Sequence, residues 1–382
     1  MNDAPHHVGR PVWTPDDEQH MREALTLADR GRGRTSPNPL VGCVLVRDGV
    51  VVGRGFHAHA GGPHAEVAAL ADAGPAARGA TAYVTLEPCN HHGRTPPCSE
   101  ALIEAGVSRV VVATEDPNPA ATGGSGRLRE AGITVDLGLL ATEAEHQNEA
   151  FLTSVSKRRP FVHFKSAMTL DGKIASGSGD ARWVTGEPAR AWVHALRNES
   201  DTIAVGMGTV RQDDPALTAR VPNGRTPTKV VFDTRGELGP DARLFEPFEG
   251  TPADVHVMTT EAAPQEALKT LQAAGAHVHV LPSVDGRPSV PAALEVLHRL
   301  EVRSLLLESG GRLASSFLQA GAIDRISIVL APKLVGGSAS TPFEGAGAMR
   351  MADAWGVRDL TVTPLGEDLL LQGTPDLNQE AP

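Results

Sequence analysis

The sequence predicts a protein of the α/β class with two domains. The chain has 382 residues, about two or three times the length of a typical single domain. Runs rich in β-branched residues alternate with segments of helical periodicity, and this alternation starts again after roughly residue 155. The two halves share no evident motif and no repeat of fixed period. We therefore expect two globular α/β domains with different activities.

The first half begins with a helix whose ends are marked by its flanking residues. Thr14 is a capping residue, Pro15 takes the first helical position and Gly31 marks the end. The next run, LVGCVLVRDGVVVGRG, predicts a hairpin, because Asp48-Gly49 suits the positive dihedral angles of a two-residue turn. Helices and strands then alternate through HAEVAALADAG, TAYVTLEPC, CSEALIEAG, RVVVAT, GRLREAG and ITVDLG.

The second half follows a polar stretch, ATEAEHQNEAFLTSVSKRRP, whose basic end marks a domain boundary. Its predicted strands are PFVHFKSA, DTIAVG, TKVVFD, ADVHVMT, AHVHVL, RSLLLES and RISIVLA. The segments EPARAWVHALRN and APQEALKTLQAAG predict helices between them. We expect a flexible tail over residues 1–15, one domain over 16–150 and a second over 158–375.

Charge and cysteine content limit the possible partners. A net charge of −11 disfavours nucleic acid and anionic membranes, although a local basic pocket can still hold one small phosphorylated ligand. Three cysteines cannot all pair with one another, which favours a reducing compartment and a metal-binding or catalytic role. No apolar run has the length of a signal peptide or a membrane span. We expect a soluble, cytoplasmic protein.

Four residues of the first half have the pattern of a catalytic zinc site. His64 and Glu66 stand two positions apart at a helix start, and Cys89 and Cys98 follow. One imidazole and two thiols supply three ligands, which leaves the fourth tetrahedral position for water, and Glu66 is the natural proton shuttle. Each residue alone could instead be a surface histidine, or a packing or redox thiol. Cys43, in an apolar strand, is interpreted as a core thiol.

These residues resemble the zinc-dependent cytidine-deaminase-like family, whose signature is H-x-E followed by P-C-x-x-C. The second half departs from that signature, because the eight residues NHHGRTPP separate Cys89 from Cys98. This longer form, with PNPLVGCVLV before it and EDPNP after it, resembles the deaminase domain of the bifunctional riboflavin-biosynthesis deaminase/reductase family over about residues 16–140. The resemblance implies a cytidine-deaminase-like α/β/α domain.

The same resemblance implies a reaction and a set of site residues. The implied reaction is hydrolytic removal of the 2-amino group from a diaminopyrimidinone that carries a phosphoribosylamino substituent. His64, Cys89 and Cys98 would hold Zn²⁺, and Glu66 would relay the proton. The implied base contacts are Asn38 and His57. The longer loop also carries three residues that could contact ring or phosphate or simply be solvated: His91, His92 and Arg94.

The second half carries glycines where a phosphate could bind. In LLLESGGRLASSFLQAG, Gly310 and Gly311 lie between a strand and a helix, where backbone N–H groups can receive a phosphate. Polar and glycine residues also come directly after predicted strands in two other segments, FKSAMTLDGKIA and IAVGMGTVRQDDPALTAR. These segments resemble the reductase domain of the same family, with a dihydrofolate-reductase-like fold, over about residues 160–372. The implied reaction is NADPH-dependent reduction of the ribosyl side chain to ribityl.

Carried onto this chain, the resemblance implies two groups of reductase residues. The NADPH contacts are Ala167, Trp183, Thr209, Asp213, Thr234, Gly310, Gly311, Arg312, Leu313, Ala314, Ser315 and Ser316. The substrate contacts are Ala181, Arg197, Leu217, Arg220 and Glu308. Asp213 is a candidate catalytic acid or orienting group, or else a helix-end cap, and Trp183 could instead be a packing aromatic. The arginines suit a phosphate group, or else are simply solvated, and Lys165 and Lys173 could neutralise a phosphate.

The leading hypothesis is one chain that performs two consecutive steps on one phosphorylated pyrimidine. Two other classes compete with it: a deaminase of nucleic acid with a binding module, and a non-catalytic scaffold held by zinc. The net charge and an aromatic content of 4% oppose the first, because single-stranded nucleic acid is bound largely by stacking. A carboxylate such as Glu66 beside an open metal position has no purpose in the second. The family resemblance makes a homo-oligomer, a dimer or tetramer, plausible.

Overall fold

The computed structural model describes residues 12–91, 96–181, 184–222 and 224–377. The chain divides into two compact units, Met1–Lys157 and Arg158–Pro382, and each is described by itself. The domain limits expected at residues 15, 150 and 375 stay predictions. No helix within the described residues is both long and apolar enough to cross a membrane.

The first unit is a five-stranded sheet between two helical layers. Strands β1, β2 and β3 pair antiparallel in the order β2-β1-β3, and β4 and β5 continue parallel to β3. Its elements are α1 (Pro15–Asp29), β1 (Gly42–Arg47), β2 (Val50–Phe56), α2 (Ala65–Ala73), β3 (Thr81–Leu86), α3 (Cys98–Ala105), β4 (Arg109–Thr114), α4 (Gly124–Glu130), β5 (Thr134–Leu137), α5 (Ala141–Gln147) and α6 (Glu149–Lys157).

Alternation along the central strands builds a core on each face of this sheet. On β4, Val110 and Val112 pack with Leu102 and Leu128 of the helices on one face, whereas Val111 packs on the other face. Met21 of α1 and Ala144 of α5 belong to the second face. Because successive strand residues point to opposite faces, these continuous apolar runs require helices on both sides. The predicted α/β/α layering of this unit is confirmed.

The second unit is a nine-stranded mixed sheet in the order β10-β9-β8-β7-β13-β6-β14-β16-β15. All neighbours are parallel except β14-β16 and β16-β15. Its elements are β6 (Phe161–Thr169), α7 (Glu187–Glu199), β7 (Thr202–Gly206), α8 (Met207–Asp213), β8 (Thr228–Phe232), β9 (Val255–Thr259), α9 (Gln265–Ala273), β10 (His277–Val280), β11 (Ser283–Val284), β12 (Arg287–Pro288), α10 (Val290–Arg299), β13 (Ser304–Leu307), α11 (Gly311–Gln319), β14 (Arg325–Ala331), β15 (Val357–Leu365) and β16 (Asp368–Pro375).

The predicted α/β class is confirmed for this unit as well, since its core lies on both faces of the sheet. Leu305 and Leu307 of β13 pack with Leu297 of α10 and Phe317 of α11. Leu306, between them, faces the opposite core together with residues such as Leu271 of α9.

Several helices and strands were not predicted from the sequence, and the structure shows why. The stretch expected to be only a polar boundary forms α5 and α6, because Ala144 and Phe151 are buried although most of their neighbours are polar. Strand β15 is exposed along nearly its whole length, so the short alternation at residues 360–363 does not mark a buried face. The predicted hairpin turn is confirmed, with φ of 52° at Asp48 and 75° at Gly49.

A buried carboxylate fixes the start of α1. Asp17 completes a capping box with Thr14, and its Oδ1 accepts hydrogen bonds of 2.8 Å from both Tyr83 and Arg109. Burial alone would raise the pKa of Asp17, but the hydrogen bonds from Thr14, Arg109 and Tyr83 outweigh it and hold the pKa well below its usual range. The ionised form therefore stabilises the folded first unit.

We expect Asp17→Ala to lower the free energy of unfolding of the first unit by about 3 kcal/mol, because Arg109 and Tyr83 lose a buried partner. The difference from wild type should be fully present at pH 7 and shrink as the pH falls below about 4, where the unfolded carboxyl binds protons. Calorimetry of the full chain measures both effects. Asp16→Ala, at an exposed neighbour, is the control and should change little. An equal effect of the two variants would contradict this role.

Candidate functional site

Three ligand side chains converge in the first unit. His64 immediately precedes α2, Cys89 lies in the segment after β3 and Cys98 is the first residue of α3. His64 Nδ1 lies 3.2 Å from Cys98 Sγ and 3.6 Å from Cys89 Sγ. All three ligand atoms are within 4.8 Å of one another, so one ion can contact them together. The structure therefore brings together the residues that the sequence predicts as zinc ligands.

The electrostatics of this cluster suit a divalent cation. The Cys98 thiol and backbone N–H and the His64 ring donate to the Cys89 sulfur, which lowers the pKa of Cys89 to about 4 despite its burial. The same hydrogen bond from Cys98, together with burial, raises the pKa of the Cys98 thiol. Hydrogen bonding to Cys89 also raises the pKa of His64. Hydrogen bonds thus hold these three side chains close together. One imidazole and two thiols are ligands that Zn²⁺ prefers, so the residues fit that ion.

Glu66 lies beside this cluster on the first turn of α2 and is only 3% exposed. Burial, assisted by the charge of Cys89, raises the pKa of the Glu66 carboxyl to about 7, although its own backbone N–H and His64 oppose the shift. A carboxyl group with this pKa can both accept and release a proton near neutral pH. The position and the protonation behaviour of Glu66 suit a proton shuttle.

The predicted base contacts lie next to the metal ligands. His57 Nδ1 donates to the Pro63 carbonyl at 2.9 Å, so its Nε2 is free to accept from the Asn38 amide at 3.1 Å. Burial lowers the pKa of His57, which keeps the ring neutral. The rings of His57 and His64 meet edge to face, with centroids 5.6 Å apart. Buried His57 therefore links Asn38 to the ligand His64 through direct contacts.

Close backbone packing places these residues. A Cβ on Gly55 of β2 would lie 2.2 Å from the Ala65 carbonyl oxygen, so only glycine lets the start of α2 approach the sheet this closely. The loop that carries Asn38 is fastened by Asn148, whose side chain donates to and accepts from the backbone of Leu40 at 2.8 Å. The role of Asn148 could not be predicted from the sequence, because a lone amide in a polar stretch carries no motif.

The remaining residues predicted in this unit have different surroundings. Cys43 is fully buried in the apolar core, as predicted, and burial raises its pKa. His91 is exposed. His92 and Arg94 lie outside the described residues. The roles suggested for these three loop residues stay predictions.

The second unit contains a cavity of about 780 Å³. It lies where β7, β8 and β13 end, and is completed by the starts of α8 and α11. This is the edge at which open α/β sheets bind ligands, and the volume falls within the roughly 300–1,000 Å³ of small-molecule sites. Its lining includes the following residues predicted from the sequence: Ala167, Ala181, Thr209, Asp213, Thr234, Glu308, Gly310, Gly311, Arg312, Leu313 and Ser316.

Other predicted reductase residues in the described part of the chain, among them Arg197, do not line this cavity. Ala314 and Ser315 are buried in the packing of α11, and the Ser315 hydroxyl accepts from the Glu344 N–H at 3.0 Å. Leu217 is buried and Arg220 is exposed, with its backbone N–H donating to His194. Trp183 lies outside the described residues. All of these assignments stay predictions.

A buried ionic cluster holds the polar end of the cavity. Arg197 donates from Nε and Nη2 to the two carboxylate oxygens of Glu308, at 2.8 and 2.9 Å. Lys165 Nζ lies 3.8 Å from the same carboxylate. Burial would raise the pKa of Glu308, but the charges of Arg197 and Lys165 lower it to about 2. Burial lowers the pKa of Lys165, and the charge of the Glu308 carboxylate opposes this shift.

Arginine side chains also line the cavity. They belong to Arg235, Arg287 and Arg312; Arg312 is in α11, and Arg287 donates to the Ser316 hydroxyl of the same helix at 3.2 Å. A Cβ on Gly310, directly before α11, would meet no atom within 4 Å. Open space at a helix start, among guanidinium groups, suits the phosphates of a dinucleotide such as NADPH. The place of Arg235 and Arg287 in the cavity lining could not be predicted, because both come from segments without a motif.

Comparisons with known proteins match both units. The family described as the cytidine and deoxycytidylate deaminase zinc-binding region matches residues 14–114. The RibD C-terminal domain family matches residues 160–371. The riboflavin biosynthesis protein RibD of Escherichia coli is 40% identical over 369 residues, which cover 93% of this chain and 98% of that protein.

Solved structures agree over nearly the whole chain. A RibD structure from Acinetobacter baumannii has a TM-score of 0.84 and 40% identity, and the match covers 94% of this chain and 99% of that one. A structure from Thermotoga maritima, described as a diaminohydroxyphosphoribosylaminopyrimidine deaminase/5-amino-6-(5-phosphoribosylamino)uracil reductase, has a TM-score of 0.81 and 36% identity at the same coverage. This chain therefore belongs to the RibD family of bifunctional riboflavin-biosynthesis enzymes, in which a zinc-binding deaminase domain and a reductase domain share one polypeptide.

Proposed function

We propose that the first unit hydrolyses the 2-amino group of 2,5-diamino-6-(5-phosphoribosylamino)pyrimidin-4(3H)-one. The second unit then reduces the ribosyl side chain of the resulting 5-amino-6-(5-phosphoribosylamino)uracil to ribityl with NADPH. The observation that carries this proposal is the convergence of His64, Cys89 and Cys98 beside the buried carboxyl of Glu66. The description of the Thermotoga maritima relative supports the choice of substrate.

In the deamination, this chain's residues bind the ion, move a proton and orient the ring. His64, Cys89 and Cys98 hold zinc, which when bound lowers the pKa of a water in its open position. The Glu66 carboxylate takes a proton from the attacking water and delivers it to the departing amine, so that water and the amine become a carbonyl and ammonia. Asn38 offers amide hydrogen-bonding groups to the heterocycle, and neutral His57 holds that amide in place.

In the reduction, the cavity of the second unit binds both reactants. NADPH supplies the hydride, and the backbone at Gly310 with the guanidinium groups of Arg287 and Arg312 binds its phosphates. Glu308 accepts hydrogen bonds from the sugar hydroxyls, and Arg197 holds the Glu308 carboxylate in one orientation. Asp213, the last residue of α8, lines the cavity and is the candidate proton donor.

We also infer a cytoplasmic location and a homo-oligomeric state, either dimer or tetramer. Support for the location comes from the thiols of Cys89 and Cys98, which a metal site requires in reduced form. Support for self-association comes from exposed apolar side chains on β15, among them Leu360 and Val362. Light scattering of the purified chain measures the oligomeric state.

We expect Glu66→Gln to lower the rate of deamination by about 10²–10⁴-fold, because the proton shuttle is lost while the shape of the side chain is kept. Ammonia release from the diaminopyrimidinone ribotide measures this step. Zinc content and NADPH oxidation with the deaminated intermediate should be unchanged. The control is Glu104→Gln, at an exposed position of α3. Loss of both activities in Glu66→Gln would argue against separate sites.

We expect Gly310→Val to raise the KM for NADPH at least about tenfold, a loss of roughly 1.4 kcal/mol of binding. The reason is that the added side chain occupies space that the protein itself leaves open. Valine is a poorer N-cap than glycine, so the thermal midpoint should fall only slightly, and deamination should be unaffected. Gly347→Val, at an exposed loop position that is also open, is the control. An unchanged KM would remove the start of α11 from the NADPH site.

A further inference from the structure

A second cluster of metal-ligating side chains lies at the edge of the nine-stranded sheet, and the reactions above do not use it. Asp254 directly precedes β9, His256 is in β9, and His277 and His279 are in the edge strand β10. The two strands pair in parallel with His277 opposite His256. Side chains two residues apart share one face of a sheet, so all four residues lie on the same face.

Three of these residues converge on one point. Asp254 Oδ1 lies 3.2 Å from His256 Nε2 and 3.6 Å from His277 Nε2. One ligand atom from each residue lies within 4.8 Å of the others. The rings of His256 and His277 are close, with centroids 4.7 Å apart. One cation can therefore replace the contacts among these three groups without a change of strand pairing.

Neighbouring groups orient the ligand atoms. The Thr228 hydroxyl donates to Asp254 Oδ2 at 2.7 Å, which leaves Oδ1 toward the two imidazoles. His256 Nδ1 is 2.9 Å from His279 Nε2. With a metal ion on Nε2 in place of the proton shared with Asp254, His256 donates this hydrogen bond from Nδ1. Partners of this kind, which fix the tautomer of a histidine and the orientation of a carboxylate, are typical of metal sites.

The cluster is buried on one side and open on the other. His256 is 7% exposed, whereas the side chains of Asp254 and His277 are 50% and 63% exposed. An ion can enter from solvent and keep water in its remaining positions. Two imidazoles and one carboxylate favour borderline ions such as Zn²⁺ over Mg²⁺ and Ca²⁺, which prefer oxygen ligands alone.

We propose that Asp254, His256 and His277 bind a second divalent transition-metal ion of the Zn²⁺ type, with His279 as a positioning residue. The site belongs entirely to the second unit and shares no residue with the cluster formed by His64 and the two cysteines. The ion joins the four-residue strand β10 to β9 and so stabilises this edge of the sheet.

The test counts zinc bound by the full chain in equilibrium dialysis at increasing free Zn²⁺. Wild type should bind two ions per chain, and His277→Ala should bind one. His277 is well exposed, so its loss does not disturb the core. His146→Ala, at an exposed position of α5, is the matched control and should bind two. A wild type that binds only one ion, or a His277→Ala variant that still binds two, would overturn the proposal.

Three further measurements locate the ion at this cluster. The double variant Cys89→Ser/Cys98→Ser should keep one zinc, and adding His277→Ala should remove it. His279→Ala should keep the site but weaken its affinity for Zn²⁺ at least about tenfold. Zn²⁺, but not Mg²⁺, should raise the thermal midpoint of the second unit in wild type and not in His277→Ala. Equal shifts in both proteins would mean that Asp254, His256 and His277 bind no ion.

Discussion

The first site depends on the close approach of helices to a sheet, which makes three ligand side chains meet. His64 and Cys98 stand at the starts of α2 and α3, and Cys89 follows β3, so each comes from a different element. Glycine at position 55 lets the start of α2 lie against β2 at a distance that no side chain allows. The same packing buries Glu66 next to the cluster, where water cannot stabilise its charge. One steric constraint thus places both the ligand His64 and the proton shuttle Glu66.

The second unit differs from the first, because its cavity holds anionic reactants near a buried carboxylate. Glu308 stays ionised because Arg197 donates hydrogen bonds to both of its carboxylate oxygens and Lys165 lies close to the same carboxylate. Arg287 and Arg312, which line the cavity, provide local positive charge for phosphates in a protein whose net charge is −11. Long-range attraction therefore contributes little to substrate capture, and local guanidinium groups provide the recognition.

The metal site could be predicted from the sequence because its residues have a characteristic chemistry at element ends. The type and spacing of four residues, His64, Glu66, Cys89 and Cys98, can be recognised in the sequence. Local helix and strand patterns were enough to predict where these residues lie. The cavity was only partly predictable. Arg235 and Arg287 reach it from loops and a short hairpin, and their positions depend on tertiary packing. For Arg197, the sequence does not distinguish a phosphate partner from a carboxylate, and the structure pairs it with Glu308.

Deamination depends on the zinc that His64 and the two cysteines hold. Replacement of Cys98 by serine, with zinc content, ammonia release and NADPH oxidation measured on the same preparation, tests this dependence. We expect zinc to be lost from the first unit and ammonia release to cease, while reduction of the deaminated intermediate continues. Normal ammonia release from the serine variant would contradict it.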